Sequence, residues 1–462
     1  MYCGLLLDPL CPPAMKPFKL YQFDLVARMK NSHEIRDAIH VFIRLDYDEV
    51  KVLNCIWFQR LRNIHQLALS YLVYPGATHK RFEHSLGAME LAGRIFDVVT
   101  NPENVTDEIR RLVPEITREN TRAYWRRVVR VGALCHDIGH LPFSHAAEHA
   151  LLPAGWSHEK IGMDILLSPE MRTILNEMTP PVRAEDVAKV ALGPKKAGSL
   201  RFSNWEAILS EIIVGDAFGA DRIDYLLRDS HHIGVAYGRF DHYRLIDTLR
   251  VLKSPTSGEP VIGVEEGGLH SAEALLLARY MMYTQVYFHA ARRIYDIHLQ
   301  EFLTQWLPEG KFPTDITKLI EITDNEVTAA LLKAARDKDA IGHDAARRIT
   351  TREHFRVVYQ RNPTDIAINP EAGTAVYQAL RQQFGNEHFR RDAYKEKAGP
   401  PDFPVLARDG RCHSSMLMSD TLRQLPVVAV DYVFVSPEMR QECEVWLENN
   451  RGDIIRRKEE EQ

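Results

Sequence analysis

The sequence predicts a mainly α fold, in which a helical core with a small β element is followed by an α+β C-terminal lobe. Helical periodicity dominates from about Val50 to Trp306, as in Ala88 to Val99 and Trp125 to Cys135, where apolar residues recur at three- and four-residue steps. Strand signals are confined to HVFIRL near the start, PVIGVEE at Pro260 to Glu266 and PVVAVDYVFV at Pro426 to Val435, so any sheet should be small. From Leu269 to Leu307 there is neither Pro nor Gly, and the stretch reads as one very long helix, a scaffold for whatever site the core carries.

With 462 residues, of which 45% are apolar, the chain can bury one large core or two modest ones. The 58 basic and 63 acidic residues leave a net charge of -5, which argues against holding nucleic acid through a generally positive surface. The six cysteines, Cys3, Cys11, Cys55, Cys135, Cys412 and Cys443, form no CxxC pair, so neither a disulfide framework nor a zinc ribbon is expected and a reducing cytoplasm fits. The opening MYCGLLLDPLCPPAM lacks the basic start and long apolar segment of a secretory signal, and residues 1–17 are expected to be a flexible arm. Nothing approaches the roughly 20 uninterrupted apolar residues that span a bilayer. Breakers cluster at Gly193 to Gly198, Ser254 to Pro260 and Lys397 to Asp409, and a division near Leu307 to Lys311 would separate a core, 18–307, from a lobe, 308–462.

The most informative segment is LCHDIGHLPFSHAAEH, Leu134 to His149, in which an apolar helix delivers an adjacent His-Asp pair and then breaks at Gly139 and Pro142. Neighbouring residues on a helix diverge by about 100°, so His136 and Asp137 reach one ion only if it sits beside the helix end. Further ligands must come from elsewhere: HKRFEHSLG offers His84, and GADRIDYLLRD offers Asp221 and Asp224. A set of His84, His136, Asp137 and Asp221 mixes imidazole with carboxylate and suits one divalent ion, Mn, Fe, Mg or Zn alike. An isolated His-Asp pair is more often a satisfied core pair. That bland reading weakens because His140, His145 and His149 share the segment and because HKRFEH also combines cations with imidazoles.

These segments resemble the HD superfamily, specifically its deoxynucleoside triphosphate triphosphohydrolases and related bacterial phosphohydrolases. The resemblance rests on FQRLRNIHQL (Phe58 to Leu67), YPGATHKRFEHSLG (Tyr74 to Gly87), LCHDIGHLPFSHAAE (Leu134 to Glu148), WSHE (Trp156 to Glu159), DRIDYLLRD (Asp221 to Asp229) and ARYMMYTQVYFH (Ala278 to His289). It implies an HD-domain core and places the ligands on His84, His136, Asp137 and Asp221. It also implies acid/base machinery at His145, Glu148 and His158, with His145 oriented by Glu148. Phosphate contacts fall on Arg81, His140, Arg222 and Tyr225, sugar contacts on Gln66 and Asp229, and further contacts on Arg279 and Tyr287. Arg279, Tyr283 and Tyr287 recur every four residues, so on a helix they share a face, and a guanidinium beside phenols suits a phosphate tail or a base.

The sequence departs from the family pattern at Glu148, where the family has Asp, and at Phe288, where the vertebrate branch has a polar amide. The vertebrate activator site falls here on Asn54 and Arg36, although Gln59 and Arg62 persist, and no sterile-alpha-motif domain is expected ahead of the core. The implied chemistry is hydrolysis of a nucleotide, most directly a (deoxy)nucleoside triphosphate giving nucleoside and triphosphate. An ion would activate the attacking water and His145 would protonate the leaving oxygen. An HD-type phosphodiesterase is the alternative, with His140 and His145 joining a second ion, and a stepwise phosphatase or a nucleotide sensor without turnover are others. The resemblance further implies a homo-oligomer.

Overall fold

A computed structural model describes residues 32–144, 148–396 and 399–456. The arm expected at residues 1–17, and His145, therefore lie outside the described residues. The chain begins with an antiparallel hairpin, β1 (Ser32–Asp37) and β2 (Val41–Asp46), of which only the second strand is signalled by HVFIRL. Asp46 then caps helix α1 (Tyr47–Leu53) in a reciprocal box with Glu49. Glu49 is itself buried and takes two hydrogen bonds from Arg130, at 2.5 and 2.9 Å, which fastens the hairpin to the helical core.

That core is built around α2 (Arg81–Val99), whose buried residues lie on nearly every side. Packed against it are α3 (Glu119–Cys135) and α7 (Ala220–Ile233), with α4 (His158–Leu166), α5 (Ala184–Leu192) and α6 (Asn204–Val214) completing the bundle. Only the second half of α3, from Val128 to Cys135, is fully buried, so this helix carries its apolar end to the site. The approach of α7 to α2 is very close: a Cβ on Gly87 would stand 1.9 Å from Asp224 Oδ1 and 2.4 Å from Arg228 Nη2.

The strand content is small, as expected, but more divided than the sequence signals. Strands β3 (Leu249–Lys253) and β4 (Pro260–Glu265) pair around the Ser254 to Pro260 turn, and β7 (Pro404–Leu406) and β8 (Cys412–Ser414) extend them to a four-stranded sheet with one parallel pairing, β4 to β7. A second sheet, antiparallel throughout, places β9 (Ala429–Val435) between β5 (Arg356–Gln360) and β6 (Phe389–Lys395). Alternation along β9 sends Val433 and Val435 into one apolar cluster and Tyr432 and Phe434 into another, so both faces of this sheet are covered. The largest cluster runs through the helical core and takes in Phe312, Leu331, Ile349 and Phe403 from later in the chain.

The single long helix expected from Leu269 to Leu307 is two helices, α8 (Leu269–Met282) and α9 (Ala290–Trp306), joined by a π-turn over Tyr283–Tyr287. Neither Gly nor Pro makes this break. Thr284 turns its hydroxyl back onto the carbonyls of Tyr280 and Met281 at 3.0 and 3.2 Å, a bond that bends helices. Arg292 takes the freed carbonyl of Tyr287 at 2.5 Å, and His289 caps α9 by accepting from Ala291 N.

Because nothing beside Gly87 can yield except buried charged groups, Gly87→Ala should destabilise the fold by about 1–3 kcal/mol, the usual range for overpacking. Urea denaturation measures this directly, and an unchanged midpoint would show that α7 can draw back from α2.

Candidate metal centre

The His-Asp pair stands where α3 stops. Cys135 ends the helix, His136 keeps helical angles as its cap, and the chain then turns away. A Cβ on Gly139 would lie 2.2 Å from His158 O and 2.3 Å from Gly162 N, so this turn packs directly on the start of α4. Phe143 and Ser144 follow with φ of 50° and 41°, left-handed values that side chains rarely adopt.

The four residues expected to be ligands converge here. His84 sits in the first turn of α2 and Asp221 in the first turn of α7. His84 Nε2 lies 3.1 Å from Asp221 Oδ1 and 3.8 Å from Asp137 Oδ2, while His136 Nε2 lies 3.3 Å from Asp137 Oδ1 and 3.4 Å from Asp221 Oδ1. One ligand atom each from His84, His136 and Asp221 falls within 4.8 Å of the others.

The tautomers suit a cation. His136 Nδ1 donates to Ala133 O at 2.7 Å, which leaves the Nε2 lone pair facing the carboxylates. That Nε2 is buried and makes no hydrogen bond among the described residues. His84 Nδ1 donates to Asp224 Oδ2 at 2.8 Å, and its Nε2 faces the same point. Burial alone would lower the His84 pKa, but the hydrogen bonds to Asp221 and Asp224 push it up to about 10. Asp221 and Asp137 are held well below the usual carboxylate range: burial opposes this, and the imidazoles around them, joined at Asp137 by Arg81, outweigh it. These residues can hold a divalent metal.

Asp224, the other carboxylate the sequence offered, lies behind His84. It is fully buried and also takes His40 Nε2 at 2.8 Å and Arg228 Nε at 2.8 Å, and Arg228 Nη1 continues to Asp37 Oδ2 at 2.8 Å. The hairpin thereby helps to orient a candidate ligand. Sequence reading missed His40, Asp37 and Arg228; the i,i+4 spacing of Asp224 and Arg228 was the one available signal.

Glu148, expected to orient His145, contacts His158. Its Oε1 accepts from His158 N, and both its oxygens lie within 2.9 Å of His158 Nδ1. The His158 ring stacks on His140 at 3.9 Å, and His140 Nε2 is 3.0 Å from Asp137 Oδ1. Arg81, buried, spans Ser144 Oγ at 2.9 Å and Asp137 Oδ2 at 2.5 Å.

A cleft of about 740 Å³ opens against these groups, bordered by His136, Asp137, His158, Asp221 and Arg222. Among the described residues Arg222 Nε has no partner, and Nη1 has a long contact to Gly215 O at 3.4 Å. Gln66, Asp229, Arg279, Tyr283 and Tyr287 do not border this cleft. They form a second cluster in which Asp229 takes Tyr287 OH and His79 Nε2, both at 2.7 Å, and the Tyr225 ring meets that of Tyr287 at 6.1 Å. Tyr283 and Tyr287 stay together across the π-turn, their rings 5.1 Å apart, and Arg279, bonded to Glu396 at 2.6 Å, keeps its guanidinium 5.1 Å from the Tyr283 ring centroid. The Oε1 of Gln66 is buried and unpartnered among the described residues.

Two family models match the chain, one described as HD domain over residues 81–193 and one as HD associated region over residues 240–370. An uncharacterized protein of Methanocaldococcus jannaschii is 35% identical over 290 residues, 63% of this chain and 53% of that protein. The deoxynucleoside triphosphate triphosphohydrolase SAMHD1 of Gallus gallus is 26% identical over 409 residues, 81% of this chain and 62% of that protein. The chain thus spans about half the length of the first relative and under two thirds of the second. The crystal structure of a hypothetical protein from Aquifex aeolicus superimposes with a TM-score of 0.74 at 31% identity, covering 90% of this chain and all of that one. No helix among the described residues is long and apolar enough to cross a membrane.

Two predictions arise from this geometry. Asp224→Asn keeps the shape but removes the charge that fixes His84, and metal titration should show affinity falling by about 10–100-fold; undiminished affinity would separate Asp224 from ligand orientation. Glu211, in the wall of the cleft, has its carboxyl pushed up to about 7 by burial, partly offset by the N–H of Ile262. Its folded pKa exceeds the unfolded value, so its destabilising effect is absent below about pH 4.5, builds up to about pH 7 and is then constant. Glu211→Gln should therefore stabilise by at most roughly 3 kcal/mol at pH 8 and by little at pH 4, measured by denaturation at both.

Proposed function

This chain belongs to the HD-domain family of metal-dependent phosphohydrolases, and from that premise we propose that it hydrolyses (deoxy)nucleoside triphosphates to nucleoside and triphosphate. The observation that carries the reading is the buried His136 Nε2, unpartnered among the described residues, facing Asp137 and Asp221 with His84 alongside. SAMHD1, a relative over most of this chain, is named for the same reaction.

We assign His84, His136, Asp137 and Asp221 as the ligands of one divalent ion, which when bound supplies Lewis-acid polarisation and an activated water. Arg81 fixes Asp137 and, with Arg222, balances charge spreading over the phosphoryl oxygens. His140 and His158 stack beside Asp137, with Glu148 holding His158 in place. His145, three residues before Glu148 in the sequence, is assigned as the general acid that protonates the leaving oxygen. Tyr225, Asp229 and Tyr287, with Gln66, Arg279 and Tyr283, are assigned to the nucleoside and phosphate contacts implied by the family. A cytoplasmic homo-oligomer completes the reading.

A specific observation favours a second reading. Glu148, His158 and Glu159 also bring ligand atoms within 4.8 Å of one another, as a two-ion phosphodiesterase would need. One ion per subunit supports the triphosphohydrolase; two close ions support the diesterase.

Incubation with nucleoside mono-, di- and triphosphates plus Mn or Mg, with products separated by chromatography, should yield nucleoside and intact triphosphate; stepwise phosphate release would refute attack at the alpha phosphorus. His145→Ala should retain the ion and lose turnover by about 10²–10⁴-fold, whereas Asp137→Ala should lose the ion.

A further inference from the structure

At its rim the cleft carries a group of charges that the reading above leaves unused. The turn after α5 starts at Gly193, whose φ of 71° lets the chain reverse, and presents Lys195 and Lys196 to the cleft. Lys195 Nζ lies 2.7 Å from Asp216 Oδ2, and both side chains are largely exposed, at 83% and 67%. Lys196 pairs with Glu159, whose Oε1 is also 3.2 Å from His158 Nε2. Asp216 and Glu159 border the same cleft, so each lysine is held over the opening by an acid of its own wall.

An exposed pair such as Lys195 with Asp216 is weak, because solvent screens it, and is readily exchanged. Phosphate oxygens are stronger partners for an ammonium group, since the bond is charge-assisted and the anion is multiply charged. Arg222 borders the same cleft, follows Asp221 in sequence, and its Nε lacks a partner among the described residues. The cleft thus carries cations beyond those beside the ligand group, an arrangement suited to a chain of phosphates and superfluous for a lone phosphate held at the ion.

We propose that Lys195 and Lys196 form a binding site for a polyphosphate tail at the mouth of the cleft, exchanging Asp216 and Glu159 for phosphate oxygens when the tail arrives. The proposal rests on the reading that the cleft takes a phosphate ester at the ligand group. It adds what that reading lacked, a reason for preferring a triphosphate over a monophosphate.

The test uses the full chain with Mn and compares binding of inorganic tripolyphosphate and orthophosphate by calorimetry, in the natural protein and in the double variant Lys195→Gln, Lys196→Gln. Tripolyphosphate affinity should fall about tenfold or more, with a flatter salt dependence, while orthophosphate affinity changes by less than about twofold. An unchanged tripolyphosphate affinity, or an equal loss for both anions, overturns the tail site. A non-hydrolysable nucleoside triphosphate run in parallel separates the sources: a matching loss assigns the tail to a nucleotide, and a loss for tripolyphosphate alone assigns it to free polyphosphate. Absence of nucleotide turnover with the tenfold loss intact refutes the proposed reaction and leaves the tail site standing; turnover with no loss does the reverse.

Discussion

Asp224 is a charge buried with no access to water, and its compensation organises much of the molecule around it. A carboxylate in such surroundings is tolerated only when each oxygen is met by a donor, and here His84, His40 and Arg228 meet them. These partners come from α2, the hairpin and α7, so satisfying one side chain brings three separate parts of the chain into register. Gly87 is the steric counterpart of the same requirement, since α7 can bring Asp224 and Arg228 this close to α2 only where α2 has no side chain. Removing one partner from such a group is strongly destabilising, because the remaining charge stays buried.

The metal centre is the place where this compensation is left incomplete. Among the described residues Asp137 and Asp221 are balanced by Arg81 and the imidazoles of His84, His136 and His140, and the His136 Nε2 lone pair has no donor facing it. Burial alone would lower the basicity of His84, and its hydrogen bonds to Asp221 and Asp224 outweigh it. A divalent cation held by the His and Asp groups here would attract side chains from separate parts of the chain at once, which would link fold and ion binding.

Most of the candidate site was legible because its chemistry is carried by short, local words. The His-Asp pair, the HKRFEH segment and the DRIDYLLRD segment could each be read within a single helix turn or two, and the structure brings all three together. The support behind the site was not legible, since His40 lies 184 residues from Asp224 and no periodicity links them. The broken helix was missed for a related reason: the break depends on Thr284, Arg292 and His289 bonding to backbone, whereas sequence reading looks for Gly and Pro. Strands of three to five residues, such as β7, β8 and β3, are too short to show alternation, and β4 and β9 were visible because they are long and strongly apolar.

The second sheet has a bearing on the chain's behaviour in a crowded solution. β9 is shielded by its neighbours, but β6 runs along the border of the sheet for seven residues, long enough to recruit a strand from another molecule. It is dense in charge instead of apolar, and Arg390, Arg391 and Asp392 are each tied by an ion pair to Glu301, Asp431 and Arg293 in turn. A foreign strand docking there would have to desolvate or break those pairs for backbone bonds alone. Along β6 this border is therefore a poor template for open-ended growth.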